Sequence, residues 1–267
     1  MFPKSKLTDD LFTFAFLSDC NGVDTTAKAV IEVLKTYNPD YIAFGGDYNY
    51  SDGTQAGYWT QTILKYFGPE VAQGKMHLAL GNHDIDGTGL ALHCMNLRQG
   101  GNGRYFKIEK GPVNFYYLDY GCNSAGVLIE PDGNDANSIQ ANWLYDELAK
   151  STARFNVGII HRCFLGDTTA HPDYPILNWP YRQKGLHLLL SGHNHVYQEF
   201  NYKGFPMIVA GLGGSFTYTF DASESIYSRY RFTGKNGFLL GTVDKFNLEL
   251  KLVLIDGTIQ RTFTLNA

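Results

Sequence analysis

The chain has 267 residues, 44% of them hydrophobic and 15% aromatic, which is enough apolar material for one α/β domain over 1–267 with a sizeable core. A formal net charge of -4 excludes a non-specific nucleic-acid binder, because the basic surface such a protein needs is missing. The four cysteines (Cys20, Cys94, Cys122 and Cys163) lack zinc-ribbon spacing and are too few for a disulfide scaffold. They read as buried free thiols of a reducing compartment.

The basic start, Met1 to Lys6, precedes an apolar run that Asp19 ends too soon for a signal sequence. No run is long enough to cross a bilayer, and a cytoplasmic, membrane-free protein is expected. Residues 12–17 instead read as the first core strand. A helix capped by Thr25 or Thr26 follows to Tyr37, where Asn38-Pro39 stops it. Strands are predicted over 40–44 and 76–80, separated by a helix over 55–67 that ends at Gly68-Pro69. Strands spaced by helices imply parallel pairing with crossovers, and the working loops of such sheets follow the carboxyl ends of the strands.

A hairpin is predicted from 104–108 and 113–118. A helix spans 138–149, with Ile139, Trp143, Leu144 and Leu148 on one face. Strands over 156–160 and 186–190 flank an irregular segment, 162–185, of the length that often forms a substrate wall. The tail reads as β over 207–210, 226–232, 238–243, 248–254 and 258–265, with Asp256-Gly257 as a hairpin turn. The elements describe a four-layer α/β/β/α sandwich of two mixed β-sheets flanked by helices.

Five predicted strands run directly into metal-binding side chains: Ser18-Asp19-Cys20-Asn21, Gly45-Gly46-Asp47-Tyr48-Asn49-Tyr50, Gly81-Asn82-His83-Asp84, the lone His161, and Ser191-Gly192-His193-Asn194-His195. Oxygen donors mixed with imidazoles suit zinc, iron or manganese, and there are too many for one ion. The third motif offers an amide oxygen, an imidazole, and a carboxylate able to orient that imidazole. This is the pattern of a two-metal hydrolase.

From residue 12 to the closing hairpin, the motifs resemble those of the calcineurin-like metallophosphoesterases. The first motif departs from that family, because Asp19-Cys20-Asn21 has no histidine two residues after the aspartate. Purple acid phosphatases share this departure and place a tyrosine three residues after the bridging aspartate. Tyr50 stands at that spacing from Asp47. A phenolate is a hard anionic ligand suited to trivalent iron, whose charge favours ionising the hydroxyl.

The resemblance implies one site of Asp19, Asp47, Tyr50 and His195, expected to hold Fe(III). It implies a second of Asp47, Asn82, His161 and His193 for a divalent iron, zinc or manganese ion, with Asp47 bridging. Neither Lys nor Arg is expected beside these positions, which fits a site where the two cations supply the positive charge. His83, paired with Asp84, is the expected proton donor to the leaving group. His171 matches by spacing a substrate-facing histidine of that branch. His77, His93 and His187 are expected to be structural, and Gly211 to Ser215 a tight turn at the rim.

The expected activity is hydrolysis of phosphate monoesters on a small phosphorylated substrate, without nucleic-acid or membrane partners. A phosphodiesterase on the same site is the alternative, although diester relatives generally keep the missing histidine. A non-catalytic scaffold of the same fold is a third reading, which the filled ligand positions disfavour.

Overall fold

The structure, a computed structural model, describes residues 11–20, 25–48, 50, 63–85 and 102–267. Its first strand, β1 (Phe12–Leu17), is a near-continuous apolar run, as expected of a strand buried on both faces. It pairs in parallel with β2 (Tyr41–Phe44), which pairs in parallel with β3 (Met76–Leu78). Helix α1 (Thr25–Thr36) makes the first crossover. It buries Ala27, Val30, Ile31 and Leu34 at helical spacing against Leu17, Ile42 and Phe44. On the other side of β1 lie three antiparallel strands, β11 (Gly237–Val243), β12 (Asn247–Leu254) and β13 (Ile259–Asn266), completing a six-stranded mixed sheet.

The second sheet has seven strands in the order β10-β8-β9-β7-β6-β5-β4. Its centre is parallel: β5 (Val113–Leu118), β6 (Phe155–Ile160), β7 (Leu188–Ser191) and β9 (Phe205–Ala210). Its margins are antiparallel: β4 (Phe106–Lys110), β8 (Tyr197–Tyr202) and β10 (Ser228–Phe232). The outer face is covered by helices α3 (Ile139–Ala149) and α4 (Tyr181–Lys184) through Leu144, Leu148 and Tyr181.

The two sheets meet in one apolar cluster that includes Phe14, Phe16, Phe115, Ile159, Leu190 and Leu250. Phe14 meets Phe115 edge-on at 5.1 Å between centroids, a favoured geometry for aromatic pairs. Polar ties also join the sheets: the Tyr41 and Tyr117 hydroxyls lie 2.7 Å apart, with His77 Nδ1 3.1 Å from Tyr41, and Arg261 of β13 pairs with Glu199 of β8. His77 is thus a buried partner of Tyr41, in keeping with a structural role. These layers are the expected sandwich. Among the described residues, no helix is long and apolar enough to cross a membrane.

Several boundaries differ from expectation for identifiable reasons. Helix α2 (Lys65–Ala72) runs through Gly68-Pro69 instead of stopping there. Phe67 leaves helical geometry at φ -127°, so Pro69 falls in the first turn of a new helical piece, where its missing N–H costs nothing. The expected start of this helix, 55–62, lies outside the described residues. Strand β8 was not anticipated, since its sequence, YQEFNY, sets two polar residues side by side and has no clean alternation; Gln198 and Glu199 are nonetheless buried. In α3, Ser138 caps the helix by accepting from the Ala141 N–H at 3.1 Å. Ile139 is 64% exposed while Gln140 is fully buried, so the inward face is shifted by one residue.

Candidate metal centre

The parallel parts of both sheets present their carboxyl ends to one rim. Asp19 follows β1, Asp47 follows β2 and Asn82 follows β3, while His161 follows β6 and His193 and His195 follow β7. Three of these residues, Asp19 (φ 62°), Asp47 (φ 57°) and His193 (φ 67°), occupy the left-handed region. That conformation is unfavourable for non-glycine residues and persists where surrounding structure enforces it. The enforcement is visible. Asp19 N–H donates to the Gly46 carbonyl at 3.1 Å, and His193 N–H donates to Asp19 Oδ2 at 3.0 Å. The motif glycines permit this approach: a Cβ at Gly81 would lie 2.1 Å from Asp47 Oδ1, and one at Gly192 would lie 2.3 Å from Asp19 Oδ2.

His161 Nε2 is the centre of one group. It lies 3.2 Å from Asp47 Oδ2, 3.2 Å from Asn82 Oδ1 and 3.2 Å from His193 Nδ1. The other ring nitrogen, Nδ1, is 2.8 Å from the Gly45 carbonyl. A carbonyl can only accept, so Nδ1 carries the proton and Nε2 is turned to the group. Asp47, His161 and His193 all offer ligand atoms within 4.8 Å of one another and are buried.

Tyr50 is the centre of the second group. Its hydroxyl donates toward Asp19 Oδ1 at 3.2 Å and lies 3.0 Å from His195 Nε2. His195 Nδ1 is held by the Phe216 carbonyl at 2.8 Å, which fixes that imidazole in the same way. All seven residues proposed as ligands are thereby brought together.

The electrostatics call for a cation. Burial opposes charging His161, yet the Asp47 carboxylate against it prevails and takes it up to about 9. Burial, with Asp19 and Asp47 beside it, pushes the Tyr50 hydroxyl well above the ordinary range, so its ionisation depends on a positive charge nearby. His193 Nε2 is buried with no hydrogen-bond partner, an orphaned donor or acceptor of the kind that needs an explanation. Two aspartates, an asparagine amide and three imidazoles around one rim fit metal ions. Burial also raises the neighbouring thiols, Cys20 well above its usual value and Cys163 to about 11.

The amino-acid sequence matches the calcineurin-like phosphoesterase family over residues 12–197. The chain belongs to this family. Membership implies a phosphoester hydrolase with two divalent metal ions. No match to a curated protein was found. Among solved structures, the fold resembles a purple acid phosphatase from yellow lupin (Lupinus luteus) seeds, at 15% identity and TM-score 0.76 over 97% of this chain and 54% of the lupin one. The chain therefore spans about half of that enzyme's length. It also resembles GAP50, the anchor in the inner membrane complex of Plasmodium, at 16% identity and TM-score 0.70 over 96% of this chain and 89% of that one. A dimetal phosphatase from Danio rerio matches at 12% identity and TM-score 0.61, covering 96% and 98% respectively.

In this family member the remaining site residues take more specific positions than the sequence implied. The His83 ring lies over Tyr50 at 4.7 Å, and its backbone N–H donates to Asp47 Oδ1 at 3.0 Å. Asp84 was expected to orient His83. Its two oxygens accept the backbone N–H groups of Asp47 (2.7 Å), Gly81 (2.8 Å) and Tyr48 (3.1 Å), tying the second and third motif loops together. His171 reaches the rim, 4.0 Å from the His193 ring and with Nε2 3.3 Å from the Tyr218 hydroxyl. Burial and the nearby Arg162 push it down to about 4, leaving it a neutral imidazole.

Other participants were missed. Tyr218 stacks on His195 at 4.5 Å while bonding His171, and Tyr120 packs on His161 and His193 at 5.9 and 6.1 Å. Neither stands in a recognisable motif. Arg162 follows His161 directly, and its charge acts on His171 and His193. The expectation that no Lys or Arg stands beside the ligand positions is therefore wrong, since Arg162 adjoins His161. The signal was present in the adjacency of Arg162 to a ligand. The Gly211 to Ser215 segment is the expected tight turn: Gly213 N–H donates to the Ser18 carbonyl and Ser215 N–H to that of Asp19. His187 accepts from the Asn156 N–H at 2.9 Å, a structural role. Asn21, Cys94 and His93 lie outside the described residues, and Cys20, Cys122 and Cys163 are buried free thiols.

Proposed function

We propose that this chain hydrolyses phosphate monoesters in the manner of a purple acid phosphatase. In this reading Asp19, Asp47, Tyr50 and His195 hold ferric iron, and Asp47, Asn82, His161 and His193 hold a divalent iron, zinc or manganese ion. The substrate is small and phosphorylated, with neither nucleic acid nor membrane as partner. The supporting observation is the Tyr50 hydroxyl seated between Asp19 Oδ1 and His195 Nε2, in a chain whose first motif has no histidine. A phenol in that place supplies the anionic donor that a trivalent ion requires.

When bound, the metal ions supply Lewis acidity toward the phosphoryl oxygens and toward water. The protein's own groups do the rest. Asp47 and Asp19 are held in their strained conformations by backbone hydrogen bonds, so the donors are preorganised before substrate arrives. The carbonyls of Gly45 and Phe216 hold Nδ1 of His161 and His195, so Nε2 is the nitrogen each ring presents to a metal. His83 is half-buried over Tyr50, where a protonated imidazole can deliver its proton to the departing alkoxide. His171, held by Tyr218, is placed to donate a hydrogen bond to a phosphoryl oxygen.

The test compares the protein reconstituted with iron, zinc or manganese on 4-nitrophenyl phosphate and on the bis(4-nitrophenyl) ester. Higher kcat/KM on the monoester is expected; preference for the bis-ester would overturn the monoesterase reading in favour of a phosphodiesterase. The likeness to GAP50, an anchor, raises the scaffold reading, which inactivity on both esters with every metal would favour.

A further inference from the structure

Arg162 is not a ligand, yet it is placed with some care. It leaves β6 immediately after His161, and its guanidinium carbon sits 4.5 Å from the Tyr174 ring centroid. One terminal NH2 donates to the Pro172 carbonyl at 3.0 Å, next to His171. Stacking and one hydrogen bond fix the plane of the guanidinium and leave other N–H groups free to donate. Among the described residues, no carboxylate pairs with it. Arg162 is half-buried and its guanidinium is held in a fixed plane, so its charge is directed where an anion can meet it.

We propose that Arg162 is a specificity-determining residue that binds a second anionic group of the substrate, adjacent to the phosphoryl group being cleaved. The preferred substrates are then phosphate compounds carrying a nearby carboxylate or second phosphoryl group. Arg162 presents its fork to that group beside His171, while Tyr174 keeps it from folding back to the surface. The inference rests on the phosphoesterase reading for the location of the reacting phosphoryl group. It goes beyond it in naming the substrate's second charge.

Three non-hydrolysable probes test it by calorimetry on the metal-reconstituted protein: methylphosphonate with one anionic group, phosphonoacetate with an added carboxylate, and methylenediphosphonate with a second phosphonate. One or both doubly anionic probes should bind about 10- to 100-fold more tightly than methylphosphonate, the range of a charge-assisted hydrogen-bonded pair. Which of the two gains more identifies the carboxylate or the phosphoryl source. In Arg162→Met that ratio should fall to near one, and Arg162→Lys should recover part of it. A wild-type ratio near one, or a ratio unchanged in Arg162→Met, overturns the proposal. Turnover of 4-nitrophenyl phosphate by the same wild-type preparation is scored separately, so loss of the hydrolase reading and loss of the Arg162 role are distinct results.

Discussion

Asp84 accepts the Asp47 backbone N–H at 2.7 Å. Both of its oxygens accept from loop amides, and this bond helps hold Asp47 in its left-handed conformation. Asp84 is therefore a positioning residue for the metal centre. Asp84→Asn, which turns an NH2 toward one of those amides, should weaken metal binding by about 10- to 100-fold, the usual effect of losing a group that orients a ligand. Chelator competition measures this directly. Unchanged metal affinity with an altered pH–rate profile would instead restore the pairing of Asp84 with the His83 imidazole.

Tyr50→Phe removes the hydroxyl between Asp19 and His195 while keeping the ring that packs on His83. The iron-loaded wild type should absorb in the visible through phenolate-to-iron charge transfer, and the variant should be colourless. An iron-loaded wild type lacking this band would remove Tyr50 from the ligand set and leave a two-metal hydrolase.

Two glycine substitutions should act in opposite directions. Gly81→Ala drives a methyl into Asp47 and should destabilise by about 1–3 kcal/mol, as overpacking does. Gly68→Ala meets open space within α2 and should be neutral or stabilise by up to about 1 kcal/mol through helix propensity. Urea denaturation of both variants checks the sign. A Gly81→Ala protein of wild-type stability would mean that the motif loops move apart freely.

A buried ionic cluster lies behind the rim. Arg104 Nε is 2.6 Å from Asp119 Oδ2 and 2.6 Å from Glu130 Oε2, so two carboxylates compete for one N–H. Asn102 and the Asp132 N–H engage the other Glu130 oxygen. Burial and the Asp119 charge take Glu130 up to about 7, against the pull of Arg104. A carboxyl whose folded value is raised binds its proton more tightly when folded. Stability therefore falls as pH rises from its unfolded value near 4.5 to about 7. Glu130→Gln should remove this decline, so its melting temperature relative to wild type should rise between pH 5 and pH 8. A constant difference across that range would show that Glu130 is ionised throughout.

Much of the fold was legible because its signals are local. Continuous apolar runs such as 12–17, turn pairs such as Asp256-Gly257, and helical spacing in α1 each arise within a few residues. Where burial is decided by distant partners, local pattern failed. Gln198 and Glu199 sit in the interior with Gln198 Nε2 donating to Asp167 and Glu199 accepting from Arg261. Pro69 is tolerated because the chain bends at Phe67.

The amino-acid order alone determined which ligand types exist and that each stands at the end of a strand, since both follow from residue identity and hydrophobic period. Tertiary structure decided their mutual geometry: that His161 Nε2 faces three donors, that Asp84 serves the backbone, and that Arg162, Tyr120 and Tyr218 join the rim. Those relations depend on the packing of two sheets and on loops that cross between them, and no stretch of sequence encodes a distance between residues more than a hundred positions apart.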